Sequence, residues 1–231
     1  MSVQLDEQTD PAEPARPDVP VRRPNRQIAL IALAGVALLV VGLVASGWNR
    51  GEAAWAGTVL PEPQPKPDIT LTDTSGASYR LVERTAGKYT VVLFGYTNCP
   101  DVCPINLATL DSAMESLGPE VRGKVDVVFI TADPARDTPA VLRSYLDRFD
   151  VNFVGLTGTL AEVRAAQAQA RLPIATLDKK DSSGDYAVGH ATQMIMYGPD
   201  DLARVVYPFG TRQSDWTRDL PRLLAGEEPT E

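Results

Sequence analysis

Hydrophobic and polar positions divide the chain into three regimes. Residues Ile28–Gly47, IALIALAGVALLVVGLVASG, are uncharged and almost wholly apolar. A helix of that length spans about 30 Å, the thickness of a bilayer core. From Asp68 onward, short apolar runs alternate with segments of helical spacing. Residues 1–27 and the stretch Pro61–Pro67 show neither period.

From Asp68 onward, Ile69–Thr72 and Ser78–Val82 alternate around Asp73–Gly76 and predict a hairpin. Tyr89–Phe94 and Val125–Thr131 are continuous apolar runs, the pattern of strands buried on both faces. Between them, Ile105, Leu107, Leu110, Met114 and Leu117 fall at helical spacing. Thr138 followed by Pro139 starts a helix expected to reach Phe149, a capping hydroxyl ahead of a first-turn proline. A strand over Val151–Leu156 and a helix over Leu160–Gln169 follow. Thr192–Met196 and Ala203–Tyr207 predict a second hairpin around Gly198–Asp201, and Ser214 is placed to cap a last helix ending at Leu224. The order β-β-β-α-β-α-β-α-β-β-α describes an α/β domain with a mixed sheet, parallel where helices make the crossovers.

The flanks complete the expected organisation. Residues 1–27, rich in proline and charge, read as a disordered cytoplasmic tail. Residues 28–48 read as a transmembrane anchor closed by the interfacial Trp48. Arg22, Arg23 and Arg26 precede the span, whereas Arg50 and Glu52 offset each other after it. That asymmetry places the N-terminus in the cytoplasm and the C-terminal domain on the extracytoplasmic side of the cell membrane. A cleaved signal peptide ending near Ala54-Trp55-Ala56 is the alternative, but the apolar run exceeds the usual signal core. Either route exports the domain into an oxidising compartment. Residues 49–67, with proline at every second position from Pro61 to Pro67, read as an extended linker. The domain proper spans 68–225, and 226–231 is a polar tail.

Charge excludes one class of partner. The 231 residues carry a formal net charge of −8, and the tail's four arginines against five acids leave about −7 beyond it. No basic cluster follows, so nucleic acid is not an expected partner.

The candidate chemistry lies in YTNCPDVCP, residues 96–104, which hold the only two cysteines, Cys99 and Cys103. They follow a central strand and open a helix, the end of the sheet where α/β folds place ligands. If both were helical, their Cα atoms would stand about 6 Å apart, within disulfide reach. A helix N-terminus also favours thiolate. A domain of this size needs no disulfide to fold. Four Cys and His ligands for structural zinc are not present, since the chain has one histidine, His190, about 90 residues downstream. Two thiolates and an imidazole suit copper. Met194 and Met196 are read as core, because Met194 on a strand would stand about 13 Å from His190.

Three segments carry a resemblance. TNCPDVCP at 97–104, DPARDTP at 133–139 and GHATQMIMYGPDD at 189–201 resemble the Sco/SenC family of thioredoxin-fold proteins, implicated in assembly of the copper A centre of cytochrome c oxidase. The likeness covers roughly residues 66–225. It implies a thioredoxin-like mixed sheet flanked by helices, and copper held by Cys99, Cys103 and His190. It further implies a metallochaperone whose partner is the oxidase subunit carrying that centre. A thiol–disulfide reductase using Cys99 and Cys103 as its catalytic pair is the alternative function. A redox-inert interaction domain with a structural disulfide is the third. The segment departs from the family pattern at Gly189, Ala191 and Asp201, where aspartate, a small polar residue and glycine are usual. The missing carboxylate is expected to bear on the orientation of His190.

Overall fold

The computed structural model describes residues 54–230 except 183, together with residues 27, 30, 31, 33 and 35–38. The predicted tail 1–27 and most of the predicted anchor 28–48 lie outside the described residues. Among the described residues, no helix is long and apolar enough to cross a membrane. Residues 54–231 form one compact unit.

Among the described residues from 54 on, ten strands and six helices follow in the order β1 (Thr58–Pro65), β2 (Thr70–Asp73), β3 (Ser78–Arg80), α1 (Leu81–Arg84), β4 (Tyr89–Gly95), α2 (Val102–Leu117), α3 (Pro119–Lys124), β5 (Val125–Thr131), α4 (Pro139–Leu146), β6 (Val154–Thr157), α5 (Leu160–Gln169), β7 (Thr176–Leu177), β8 (Val188–Gly189), β9 (Met194–Tyr197), β10 (Leu202–Tyr207) and α6 (Gln213–Leu224). Eight strands form one mixed sheet in the order β1-β10-β9-β4-β5-β6-β2-β3, while β7 and β8 pair separately. The helical crossovers make β4–β5 and β5–β6 parallel, and the predicted hairpins β2–β3 and β9–β10 are antiparallel. This is the thioredoxin-like mixed α/β architecture.

The unbroken apolar runs are explained by burial on both faces. Val91 and Leu93 of β4 join Val127 and Phe129 of β5 beneath α2, α4 and α6. Val92 and Phe94 join Val128 and Ile130 in a second cluster with Ala166 of α5. Successive side chains on a strand point to opposite faces, so both sets must be apolar. Met194 and Met196 are buried with the first cluster, as read from the sequence.

Four expectations are corrected. The proline-rich stretch is not wholly a linker: Thr58–Pro65 is an edge strand, antiparallel to β10, with a register shift between Val59 and Gln64. An edge strand needs its N–H groups on one side only, so alternating prolines are tolerated and also block further strand addition. Its entry and exit are both tied down. The Ala56 amide donates to Asp219 Oδ2 at 2.9 Å, and the buried Lys66 ammonium meets Asp201 at 2.7 Å and the Thr85 hydroxyl at 2.9 Å. Ser214 does not cap α6; the helix begins at Gln213, with Asp215 accepting from the Arg212 amide at 3.1 Å. α4 stops at Leu146 rather than Phe149, and β6 begins at Val154 because a turn closed by the Phe153 amide on the Asp150 carbonyl at 3.0 Å precedes it, leaving Val151 exposed.

Candidate metal centre

The site is built where β4 ends. A turn closed by the Cys99 amide on the Tyr96 carbonyl, 3.1 Å, brings Cys99 back over the sheet. Asp101 then caps α2 through the Val102 amide at 2.7 Å. The helix therefore starts three residues before the predicted Ile105. Cys103 sits in its first turn, with Pro104 one step on, where a missing N–H costs nothing. Cys99 precedes the helix, so the two cysteines do not share a regular helical face. Both are free thiols and both are buried, Cys99 at 8% exposure and Cys103 at 2%.

Gly95 makes the approach possible, a role its sequence context did not signal. A Cβ at that position would stand 2.5 Å from Cys103 Sγ. The end of the central strand is bare so that the helix can set its sulfur directly above it.

His190 follows β8. Its Nε2 lies 3.6 Å from Cys103 Sγ, and its Nδ1 lies 2.7 Å from the Ala191 carbonyl oxygen. A carbonyl only accepts, so Nδ1 carries the proton and Nε2 presents its lone pair to the sulfurs. The backbone thereby supplies the orienting bond expected from a neighbouring carboxylate. Gly189 has its own reason: a Cβ there would meet the Thr176 hydroxyl at 2.8 Å across the β7–β8 pair. Asp201 likewise takes the left-handed conformation that favours glycine, with φ 61°, and its carboxylate pairs with Lys66 in return.

One donor atom from each of Cys99, Cys103 and His190 lies within 4.8 Å of the other two. The Cys103 thiol, by hydrogen bonding Cys99, pulls the Cys99 pKa down. Burial works against that, and the Cys103 and Asp101 backbone amides reinforce the lowering. The same bond, burial and the charge on Cys99 push the Cys103 pKa up. The contact favours thiolate at Cys99 and thiol at Cys103. The arrangement can release one proton, bind a soft cation through two sulfurs and a nitrogen, or close to a disulfide.

The segment 133–139, left partly unexplained by its helix cap, frames the site. Thr138 does cap α4, accepting from the Val141 amide at 3.3 Å. Asp137, almost fully buried, accepts from the Thr97 amide at 3.0 Å, the Thr97 hydroxyl at 2.6 Å and the Thr131 hydroxyl at 2.6 Å. Burial raises its pKa, and the Thr131 and Thr97 bonds oppose the rise. Arg136 bonds Asp133 and reaches the Asp185 carboxylate at 2.5 Å and the Tyr186 carbonyl at 2.9 Å. Thr97 lies 40 residues from Asp137, and Asp185 and Tyr186 lie 49 and 50 from Arg136, so no local pattern announces these contacts.

Known proteins share this frame. The sequence profile described as SCO1/SenC matches residues 61–225. A Stutzerimonas stutzeri protein provisionally named for copper binding is 32% identical over 169 residues, 73% of this chain and 81% of that one. The solution structure of apo Sco1 from Thermus thermophilus superposes with a TM-score of 0.66 at 30% identity, over 75% of this chain and 99% of that one. Bradyrhizobium japonicum ScoI, solved with copper bound, superposes at 0.60 with 34% identity, over 69% and 98%. With the profile spanning the β1–α6 domain and both folds aligned over nearly their whole length, the chain belongs to the SCO1/SenC family.

Proposed function

We propose that this protein binds copper through Cys99, Cys103 and His190 and hands it to the cytochrome c oxidase subunit carrying the copper A centre. The observation that carries the reading is the donor set itself: two sulfurs and a lone-pair imidazole nitrogen within 4.8 Å. Soft, low-coordinate Cu(I) fits such a set, whereas structural zinc asks for a fourth ligand. The copper-bound relative and the family membership support it. Copper is cargo here. Binding displaces a thiol proton from Cys103, and transfer proceeds by exchange of these ligands for those of the recipient. Affinity falls as pH falls, because protons compete for all three donors.

The test is a titration of the reduced full-length chain with Cu(I) against a competing chelator. One equivalent is bound tightly by wild type, and affinity drops by more than about 100-fold in Cys99→Ser and Cys103→Ser, exceeding the loss expected from a merely supporting residue. Unchanged affinity in both variants sinks the proposal.

The paired thiols favour a second activity, reduction of the client's own cysteines before metallation. Cys99, the less buried and the thiolate-stabilised partner, attacks the client disulfide and releases one client thiolate. Cys103 then gives up its proton and attacks Cys99 Sγ, leaving a Cys99–Cys103 disulfide and a fully reduced client. That activity survives His190→Ala, whereas tight copper binding does not.

The span 28–48 supports an uncleaved anchor with the domain outside the cytoplasm. Protease added to intact spheroplasts digests the domain if that topology holds. Protection until the membrane is lysed contradicts it.

A further inference from the structure

His190 leaves a weak element. The β7–β8 ribbon pairs through two residue pairs, Thr176 with Gly189 and Leu177 with Val188, and stands apart from the main sheet. A two-stranded ribbon alone is marginal in water. Its flanks are held by the Ala175 amide donating to Gln167 Oε1 at 3.1 Å, by Asn106 Nδ2 donating to the Thr192 carbonyl at 2.9 Å, and by burial of Ala175, Val188 and Ala191 against the core. The loop between the strands, residues 178–187, is gripped by Arg136.

The grip is extensive. Besides its bonds to Asp133, Asp185 and the Tyr186 carbonyl, the Arg136 guanidinium lies 3.7 Å from the Tyr186 ring centroid. The Tyr186 hydroxyl donates to the free oxygen of Asp133 at 2.8 Å, closing a ring of contacts. Arg136 also sits 5.7 Å from the Tyr96 ring, which in turn meets the His190 ring edge-on at 5.5 Å. Asp133 is 1% exposed, and its amide donates to the Thr131 hydroxyl oxygen at 2.9 Å. Arg136 thus pulls from a fixed point. The next residue, Asp137, holds the opposite arm through Thr97, two residues before Cys99. One short segment grips both arms of the site with adjacent side chains.

We propose that Arg136 is the positioning residue for the His190 arm, deciding whether copper is held by two sulfurs alone or by two sulfurs and the imidazole. This rests on the copper reading above. Asp137 governs the thiol arm, so the two arms are set independently. Loss of the Arg136 grip frees the ribbon and withdraws Nε2 while both sulfurs stay in place. The protein then holds copper less tightly and releases it sooner.

The test pairs Arg136→Met, which keeps the stem against the two tyrosine rings, with His190→Ala in a double-mutant cycle. Cu(I) affinity of the reduced full-length chain is read by chelator competition, and chain integrity by melting temperature. Arg136→Met is expected to weaken binding by about 10- to 100-fold, as other supports of ligating histidines do. In the His190→Ala background the same change has an effect within about twofold, because the residue it acts through is gone. Equal losses in both backgrounds, or no loss in either, overturn the proposal. Should Arg136→Met fail to fold, Tyr186→Phe removes the single bond to Asp133. It must show a smaller loss that also vanishes without His190. If His190→Ala alone leaves affinity unchanged, the ligand assignment fails with it. If His190→Ala weakens binding and Arg136→Met does not, only the positioning role falls.

Discussion

His190 is oriented by a bond on its far side. Nδ1 donates to the Ala191 carbonyl, and the other nitrogen is left facing Cys103, as the proposed ligand role requires. This accounts for a carboxylate-free neighbourhood at Gly189 and Ala191: orientation comes from the backbone, which no substitution at 191 removes. The two thiols are differentiated in the same way, by contact rather than by residue type. Cys103 lies in the first helical turn over the bare Gly95, where its pKa is pushed up, while that of Cys99 in the preceding turn is pulled down by the Cys103 thiol. At the opposite end of β9, Asp201 in its left-handed conformation is tied to the buried Lys66 ammonium. A residue that is unfavourable by backbone preference is retained by a charge pair.

At the scale of elements, legibility followed locality. Strands β4 and β5 could be read because burial on both faces forces unbroken apolar runs. Helix α5 matched its predicted bounds because Thr159 and Glu162 form a capping box, a signal contained in four residues. β1 was read as linker because alternating prolines carry the same signature in an extended spacer and in an edge strand. Only the pairing with β10 distinguishes the two. The start of α2 falls three residues ahead of Ile105, where the apolar spacing begins, because Asp101 caps it. α6 offers a test. The Arg212 side chain bonds Asp215 and, with the Arg212 amide, holds its carboxyl pKa down, against burial. A depressed carboxyl contributes stability above its unfolded pKa and loses it as pH falls through the lower folded value. Asp215→Ala should therefore cost about 1 kcal/mol near neutral pH. The deficit should shrink below about pH 4, where the wild-type carboxyl also protonates. Urea midpoints measured across that range check this, and a deficit unchanged at acid pH contradicts it.

For the whole molecule, a two-sided sheet carries three donors at one end. The donors were legible singly, since the chain has two cysteines and one histidine and each falls in a segment of family-like pattern. Their support was not, because Asp137 reaches Thr97 after β4, Arg136 reaches the loop between β7 and β8, and Tyr96 meets His190, all through contacts distant in sequence. The fold thus separates tasks: the sheet end and α2 place the sulfurs, while the segment after the β7–β8 ribbon places the nitrogen. That division fits the proposed carrier role, which requires both binding cargo and letting it go. The measurement that bears most directly on this account is X-ray absorption at the copper edge of the Cu(I)-loaded, reduced full-length chain, wild type beside His190→Ala. The account predicts two sulfur scatterers and one imidazole nitrogen in wild type, falling to two sulfurs alone in the variant. A copper shell identical in the two proteins would contradict it.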